Sequence, residues 1–155
     1  MEKLRVAVIG VGYLGRFHAQ KYAAMEDVDL AGVVDVDPER AALIAAEVGT
    51  RAYGTFSEVP GPVQAVSVAV PTSLHAAVAV PLLEKGISVL LEKPIAADMP
   101  AAEAILAAAK TGNARLQIGH LERFNPAILK LRDRISRPMF IEVHRISPFK
   151  ERGTD

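Results

Sequence analysis

The sequence predicts an α/β protein built on a doubly wound, mostly parallel sheet. Apolar strand-like runs alternate with helix-like segments through the first 120 residues, which is the order of elements in such folds. The runs are continuously apolar instead of alternating between apolar and polar residues, as is typical of parallel strands buried on both faces. The chain has 155 residues, half of them apolar, so it has the size of one ordinary domain and can bury a core.

Six strand-like runs and the helices between them account for this first part of the chain. The runs lie at residues 4–10, 28–37, 51–54, 63–71, 87–94 and 114–120. The first helix is predicted from about Tyr13 to Met25. Asp37 is placed to cap the second helix, with a proline at its first position and Gly49 as its stop signal. Asp98 is placed to cap the helix before the last run.

The remainder of the chain has a different pattern. Asn125 and the proline after it are typical of a helix cap and first helical position, and an apolar stripe follows. Residues 139–147 alternate between apolar and polar side chains, which predicts a strand with one solvated or separately packed face. We therefore expect a first domain over 1–120, a linking helix over 121–137, and the start of a truncated α+β domain over 138–155.

Composition excludes several classes of function. Lys plus Arg and Asp plus Glu both number 18, so the net charge is zero and the basic excess of a nucleic-acid-binding protein is missing. The absence of cysteine rules out disulfides and thiolate metal sites, and the four histidines are not closely paired with acids, so no metal is expected. No apolar signal stretch or run of 18 apolar residues is present, so we expect a soluble cytoplasmic protein without membrane partners.

Three glycines follow the first strand-like run in the pattern G-x-G-x-x-G. Gly10 permits a tight turn, Gly12 lets a pyrophosphate approach the backbone, and Gly15 lets the next helix lie close to the sheet. The N–H groups near Tyr13 and Leu14 would then point at phosphate oxygens at the start of the helix. The alternative is a plain strand–turn–helix junction without a ligand.

An acid in the expected place favours the dinucleotide interpretation. Asp35 ends the second run, 20 residues after Gly15, where a carboxylate can accept hydrogen bonds from the hydroxyl groups of the adenosine ribose. It would also repel a 2′-phosphate, which favours NAD over NADP. Arg40, in the following helix, could meet a 2′-phosphate, so NADP remains open. Residues 1–120 are thus predicted to be a dinucleotide-binding Rossmann domain.

The fourth and fifth runs end in V-P-T-S-L-H and L-L-E-K-P, at the same edge of the predicted sheet as the glycine turn. With these residues the chain resembles the glucose–fructose oxidoreductase / inositol dehydrogenase / MocA family of sugar dehydrogenases. The resemblance is carried by the glycine turn, Asp35, Pro71–His75 and Glu92–Pro94, and it covers essentially the whole chain. Within that family, G-H-L-E-R-F-N-P-A-I at 119–128 is most similar to enzymes of UDP-N-acetylglucosamine, including 3-dehydrogenases.

The resemblance implies roles for individual residues. Lys93 would lie near the nicotinamide and the substrate hydroxyl and take part in proton transfer. Glu92 would line the nicotinamide-ribose end together with the loop residues Pro71, Thr72 and His75. The substrate or the nicotinamide would be faced by His120, Arg123 and Asn125.

Chemical reasoning supports Lys93 independently of the family. An alcohol that loses hydride must also lose a proton, and a lysine accepts one only where burial or a nearby positive charge favours the neutral amine. The nicotinamide ring of NAD⁺ carries such a charge, and Glu92 opposes it unless the two side chains point to opposite faces, as neighbours on a strand do. The alternative for Lys93 is an ordinary surface lysine.

The histidines have plainer interpretations as well. A structural role for His75 is as well supported as a ribose contact, and the same holds for His120. His18, inside the first helix, is expected to pack or to hydrogen-bond to the sheet.

These motifs are consistent with two functions. The first is an NAD(H)-dependent oxidoreductase acting on a sugar or UDP-sugar, homo-oligomeric as a complete protein, with this chain as its cofactor-binding part. The second is a dinucleotide-binding module that catalyses nothing. Family members carry a histidine in a D-x-x-x-H pattern in their second domain, and no such pattern follows Glu142. We therefore expect this chain alone to bind NAD(H) without turnover.

Overall fold

A computed structural model describes residues 2–132, 134–144, 146 and 148. Within them, parallel strands form one sheet: β1 (Leu4–Ile9), β2 (Val28–Val34), β3 (Ala52–Tyr53), β4 (Ala65–Val68), β5 (Ser88–Leu91) and β6 (Leu116–Ile118). The α-helices are α1 (Tyr13–Ala24), α2 (Pro38–Val48), α3 (His75–Glu84), α4 (Met99–Thr111) and α5 (Pro126–Arg132). Short 3₁₀ turns lie at Phe56–Glu58, Thr72–Leu74 and Leu121–Phe124.

The strand order is β3-β2-β1-β4-β5-β6, so the chain winds outward in one direction from β1 to β3 and in the other from β4 to β6. This confirms the predicted doubly wound parallel sheet. The order reverses between β1 and β4, and the carboxyl ends of the strands at such a reversal are where open α/β sheets bind their ligands.

The predicted helix signals work as expected. The Asp37 side chain accepts hydrogen bonds from the backbone N–H groups of the first turn of α2, and Gly49 ends that helix in the left-handed conformation at φ 71°. The Asp98 side chain likewise accepts from the backbone N–H of Ala101 at 2.8 Å. Local capping chemistry therefore fixes where these helices begin and end.

Two apolar clusters cover the faces of the sheet. The larger packs α3 and α4 against β4 and β5 and includes Val68, Leu83, Leu91 and Ile105. The smaller packs α1 and α2 against β1 and β2 and includes Val8, Val33 and Ile44. The strands are shorter than the apolar runs predicted, because residues after them, such as Asp35 and Glu92, belong to the connecting turns.

The described chain divides into two compact units, Met1–Gly119 and His120–Asp155. In the second unit, Asn125 caps α5 by accepting a hydrogen bond from the backbone N–H of Ala127 at 3.0 Å. The strand predicted at 139–147 is not found: positions 145 and 147 lie outside the described residues, and none of the others is in a strand. A strand needs a hydrogen-bonded neighbour, and the described part of this unit contains no other strand to supply one.

None of the helices in the described ranges has the length and apolar character needed to cross a bilayer.

Candidate dinucleotide site

The predicted residues of the first unit gather at the carboxyl edge of the sheet. The glycine turn follows β1, Asp35 follows β2, the loop 69–75 follows β4, and Glu92–Pro94 follow β5. Because all these strands are parallel, their following residues meet at one edge, beside the reversal in strand order.

Two of the glycines are required by close backbone contacts. Gly10 has φ 82°, and a Cβ on it would lie 2.8 Å from backbone atoms of Ala69 and Val70. A Cβ on Gly15 would lie 1.8 Å from the carbonyl oxygen of Gly10, so α1 crosses the preceding turn at a distance that only glycine allows. These contacts fix the turn at the start of α1.

Gly12 differs from Gly10 and Gly15 because nothing lies within 4 Å of the position of its missing Cβ. Its φ is −65°, and it stands at the N-cap of α1 without any side-chain cap. Open space at an uncapped helix N-terminus fits a diphosphate group. Tyr13, 81% exposed, packs edge-to-face on Phe17 next to this space, with ring centroids 5.3 Å apart, and Leu14 is half-buried.

Asp35 is buried, and both of its carboxylate oxygens are occupied. One oxygen accepts from the backbone N–H of Val11 (2.9 Å) and Arg40 Nε (3.1 Å), and the other from the backbone N–H of Asp37 (3.0 Å) and Arg40 Nη2 (2.8 Å). Burial by itself raises the pKa of Asp35, but the Arg40 hydrogen bonds and the two backbone donors together lower that pKa below its ordinary value. The Asp35 hydrogen bonds in turn raise the pKa of Arg40.

Glu92 is also buried, while the side chain of its neighbour Lys93 is exposed, so the two point away from each other. Oε1 of Glu92 lies 2.9 Å from Nε2 of His18, and Oε2 accepts from the backbone N–H of Lys93 at 3.3 Å. A Cβ on Gly119 would lie 3.0 Å from both carboxylate oxygens, so the acid packs against a bare backbone there.

A hydrogen-bonded chain continues behind His18. Its Nδ1 lies 3.1 Å from the Ser67 hydroxyl on β4, and that hydroxyl lies 2.7 Å from the Tyr22 hydroxyl. With Glu92 as a carboxylate and His18 as a neutral imidazole, the donors run in one direction: Tyr22 to Ser67, Ser67 to His18 Nδ1, and His18 Nε2 to Glu92. The expectation that His18 hydrogen-bonds to the sheet is confirmed, but sequence reasoning did not connect it to Glu92.

The sequence contains a signal for this series of hydrogen-bonded side chains. Gly15, His18, Ala19 and Tyr22 have the spacing i, i+3, i+4, i+7 of a helix face turned toward a core, so two polar side chains stand on the inward stripe of α1. Ser67 is a single polar residue inside a buried strand. Polar residues on buried faces need partners, and these partner each other.

His75 joins two loops of the site. Its side chain is buried, with Nδ1 2.9 Å from the carbonyl oxygen of Pro94 and Nε2 3.1 Å from that of Val70. These are the contacts expected of the structural alternative for this histidine. Pro71 is exposed and Thr72 half-buried, and they begin the 3₁₀ turn before α3. The Lys93–Pro94 peptide bond is cis.

The three predicted substrate residues belong to the second unit. His120 and Arg123 are exposed, and the backbone N–H of Arg123 donates to the carbonyl oxygen of His120 at 3.0 Å. Asn125 donates its side-chain amide to Glu122 at 2.8 Å in addition to capping α5. Among the described residues, no group of three or more metal-ligating side chains could hold a metal ion.

Comparison with known proteins decides the family. The family described as an oxidoreductase family with an NAD-binding Rossmann fold matches residues 4–120. This chain belongs to it. The match is the glucose–fructose oxidoreductase / inositol dehydrogenase / MocA family indicated by the sequence motifs, and residues 4–120 are its NAD-binding domain.

Several relatives within the family are similar over most of this chain. A UDP-N-acetylglucosamine 3-dehydrogenase of Acidithiobacillus ferrooxidans is 45% identical over all of this chain and 49% of its own length. An inositol 2-dehydrogenase of an Arthrobacter species is 38% identical over 80% of this chain and 38% of its own. The crystal structure of GenD2 from gentamicin A biosynthesis, in complex with NAD, has a TM-score of 0.81 at 32% identity, covering 86% of this chain and 39% of that one. The chain therefore spans about half the length, or less, of the relatives it matches.

Proposed function

We propose that this chain is the cofactor-binding part of an oxidoreductase that moves hydride between NAD(H) and a hydroxyl-bearing carbon of a sugar or nucleotide sugar. The observation that carries the proposal is the meeting of the open space at Gly12, the acid Asp35 and the exposed Lys93 at one edge of the sheet. The 45% identity to a UDP-N-acetylglucosamine 3-dehydrogenase supports a UDP-sugar as the substrate class. The zero net charge supports a small-molecule substrate over nucleic acid.

The cofactor would be held by different groups along its length. The backbone around Gly12, Tyr13 and Leu14 would bind the diphosphate, since an uncapped helix N-terminus favours negative charge. Asp35 would bind the adenosine ribose through its carboxylate. The nicotinamide end would lie toward Glu92 and the loop that contains Pro71 and Thr72.

Lys93 has the chemical role of proton acceptor. Bound NAD⁺ supplies the hydride acceptor, and the alcohol that is oxidised must release its proton to a base. The backbone of Lys93 is tied to Glu92, and the carbonyl of the next residue, Pro94, is tied to His75, so the turn that presents the lysine is fixed on both sides. His120, Arg123 and Asn125 remain proposed substrate contacts, on the strength of the family resemblance.

Graded substitution of Gly12 tests the proposed cofactor site. A Cβ at this position has no protein atom beyond its chain neighbours within 4 Å, so Gly12→Ala and Gly12→Val should keep the fold and an unfolding temperature close to that of the wild type. The same side chain would fill the space proposed for the diphosphate, so NADH affinity should fall about tenfold for Ala and at least a hundredfold for Val, as measured by calorimetry. Wild-type NADH affinity in a folded Gly12→Val protein would contradict the proposed site.

A non-catalytic dinucleotide-binding module is the second candidate. The observation that supports it is the family match over residues 4–120, which is to the NAD-binding Rossmann domain. Absorbance of NADH at 340 nm distinguishes the two when NAD⁺ and UDP-N-acetylglucosamine are supplied. We expect NADH binding without turnover from the 155-residue chain, and turnover once the rest of the dehydrogenase is supplied. Absence of turnover in the second case would favour the binding module.

A further inference from the structure

We infer that Arg40 is a displaceable occupant of the ribose site: its guanidinium fills the carboxylate positions of Asp35 that the ribose hydroxyls require, and it must leave when NAD binds. The inference rests on the proposed ribose-binding role of Asp35. It adds that the affinity for NAD, and the discrimination against NADP, are set by an arginine that competes with the cofactor.

The first step of the argument is the number of hydrogen bonds that Asp35 already accepts. A carboxylate has about four lone-pair positions. In the structure all four are used, by the backbone N–H groups of Val11 and Asp37 and by two nitrogens of Arg40. Two ribose hydroxyls can therefore bind Asp35 only if two of these donors are removed.

The second step identifies which donors can be removed. The backbone donors are fixed by the glycine turn and by the start of α2, and moving them would disturb the fold. The Arg40 side chain is 43% exposed and lies on the outer surface of α2, so it can rotate into solvent. The ribose hydroxyls can take the place of its donors, since O–H groups also donate hydrogen bonds to carboxylate oxygens.

The third step concerns where the guanidinium goes. Nη1 of Arg40 already lies 3.4 Å from Oδ2 of Asp37, whose side chain is 42% exposed. A short rotation toward Asp37 would keep the arginine paired with a carboxylate while it releases Asp35. The arginine would then stand beside the ribose, where its planar donor fork suits a 2′-phosphate.

Removal of the Arg40 guanidinium should change the affinities for NAD⁺ and NADP⁺ in opposite directions. Removing the guanidinium leaves Asp35 free for ribose hydroxyls, so binding of NAD⁺ no longer has to break the Arg40–Asp35 pair. The same change leaves the negative charge of Asp35 without its neutralising partner, so a 2′-phosphate is repelled more strongly. If Arg40 merely supported the fold, its removal would weaken the binding of both cofactors or of neither.

The test is calorimetric titration of NAD⁺ and NADP⁺ into the wild-type chain and Arg40→Gln. We expect NAD⁺ affinity to rise about fivefold, the size of effect produced by one partly exposed ion pair, and NADP⁺ affinity to fall by a similar factor. Lys21→Gln is the matched control, because it removes one exposed positive charge from α1. Unchanged or weaker NAD⁺ binding in Arg40→Gln overturns the inference.

Two further measurements separate the possible failures. If NAD⁺ affinity is the same in Asp35→Asn as in the wild type, the proposed ribose role itself is wrong. If Arg40→Gln does not fold, the wild-type chain still gives an answer through the NMR signal of the Arg40 Nε–H. Saturation with NAD⁺ should remove its protection from exchange with water, and a protected signal in the complex would overturn the inference.

Discussion

Two buried carboxylates lie at the same edge of this sheet, and they differ in the kind of partner that donates hydrogen bonds to them. Asp35 is 7% exposed and Glu92 is 4% exposed, so both have lost most of their contact with water. The charged partner of Asp35 is Arg40, whose side chain is 43% exposed on the surface of α2. The partner of Glu92 is His18, which is 14% exposed and stands on the inward stripe of α1.

The difference teaches what each acid can do. An exposed partner can move into water at small cost, so the oxygens of Asp35 can be offered to a ligand. An internal partner can leave only by breaking the chain of hydrogen bonds that continues to Ser67 and Tyr22. We therefore interpret Asp35 as the ligand-binding acid and Glu92 as the acid that fixes the turn to Lys93.

Removal of the internal partner is the strongest test of this comparison. His18→Leu leaves the buried carboxylate of Glu92 without its imidazole donor, and the loss of a hydrogen bond to a buried charged group costs about 3 kcal/mol. His18→Gln can retain an N–H donor close to the position of Nε2, so we expect it to cost about 1 kcal/mol. Urea denaturation followed by circular dichroism measures both free energies of unfolding. Equal losses in the two variants would show that packing, and not the hydrogen bond to Glu92, is what His18 provides.

The dependence of stability on acidic pH tests the role of Asp35 in this comparison. The pKa of this carboxyl is lowered in the folded chain, so it contributes stability that is present above its unfolded pKa of about 4 and is lost as the pH falls through the lower folded pKa. The wild type should therefore lose stability below about pH 5 more steeply than Asp35→Asn, which has no carboxyl to protonate. Arg40→Gln should lie between them, because the two backbone donors remain.

Unfolding temperatures recorded at a series of pH values from 7 to about 3 provide the measurement. Each variant is compared with its own value at pH 7, which removes the constant effect of the substitution. Parallel curves for the wild type and Asp35→Asn would contradict a lowered pKa at this position.

The outline of the fold and the placement of Asp35 beside the glycine turn could be predicted from the sequence because they depend on local chemistry. Gly10 and Gly15 have a fixed spacing after a strand, Asp37 caps the helix that it begins, and Asp35 directly follows a strand next to the glycine turn. In each case the residue acts within a few positions of itself or on the neighbouring strand. A parallel sheet then brings these short segments to one edge.

The partners of the two acids could not be predicted in the same way. Glu92 meets His18 across 74 positions of sequence, and Ser67 meets His18 across 49, so these contacts exist only after α1 has packed on the sheet. The Arg40–Asp35 pair spans five positions, but the rotation of the arginine side chain decides it. The prediction of a strand at 139–147 was wrong because an alternating pattern cannot supply the hydrogen-bonded neighbour that a strand requires.

The smallest expected effects lie at the far end of the hydrogen-bonded chain. Ser67→Ala removes a fully buried hydroxyl and leaves His18 Nδ1 and the Tyr22 hydroxyl without it, which should cost about 1–2 kcal/mol. Tyr22→Phe removes only the terminal donor and should cost less, about 0.5–1 kcal/mol. If the chain acts as one unit, the double variant loses less than the sum of the two, because Ser67→Ala has already broken the bond that Tyr22→Phe removes. Additive losses in urea denaturation would mean that Glu92 is held by His18 alone, and the contrast with Asp35 would then rest on a single internal hydrogen bond.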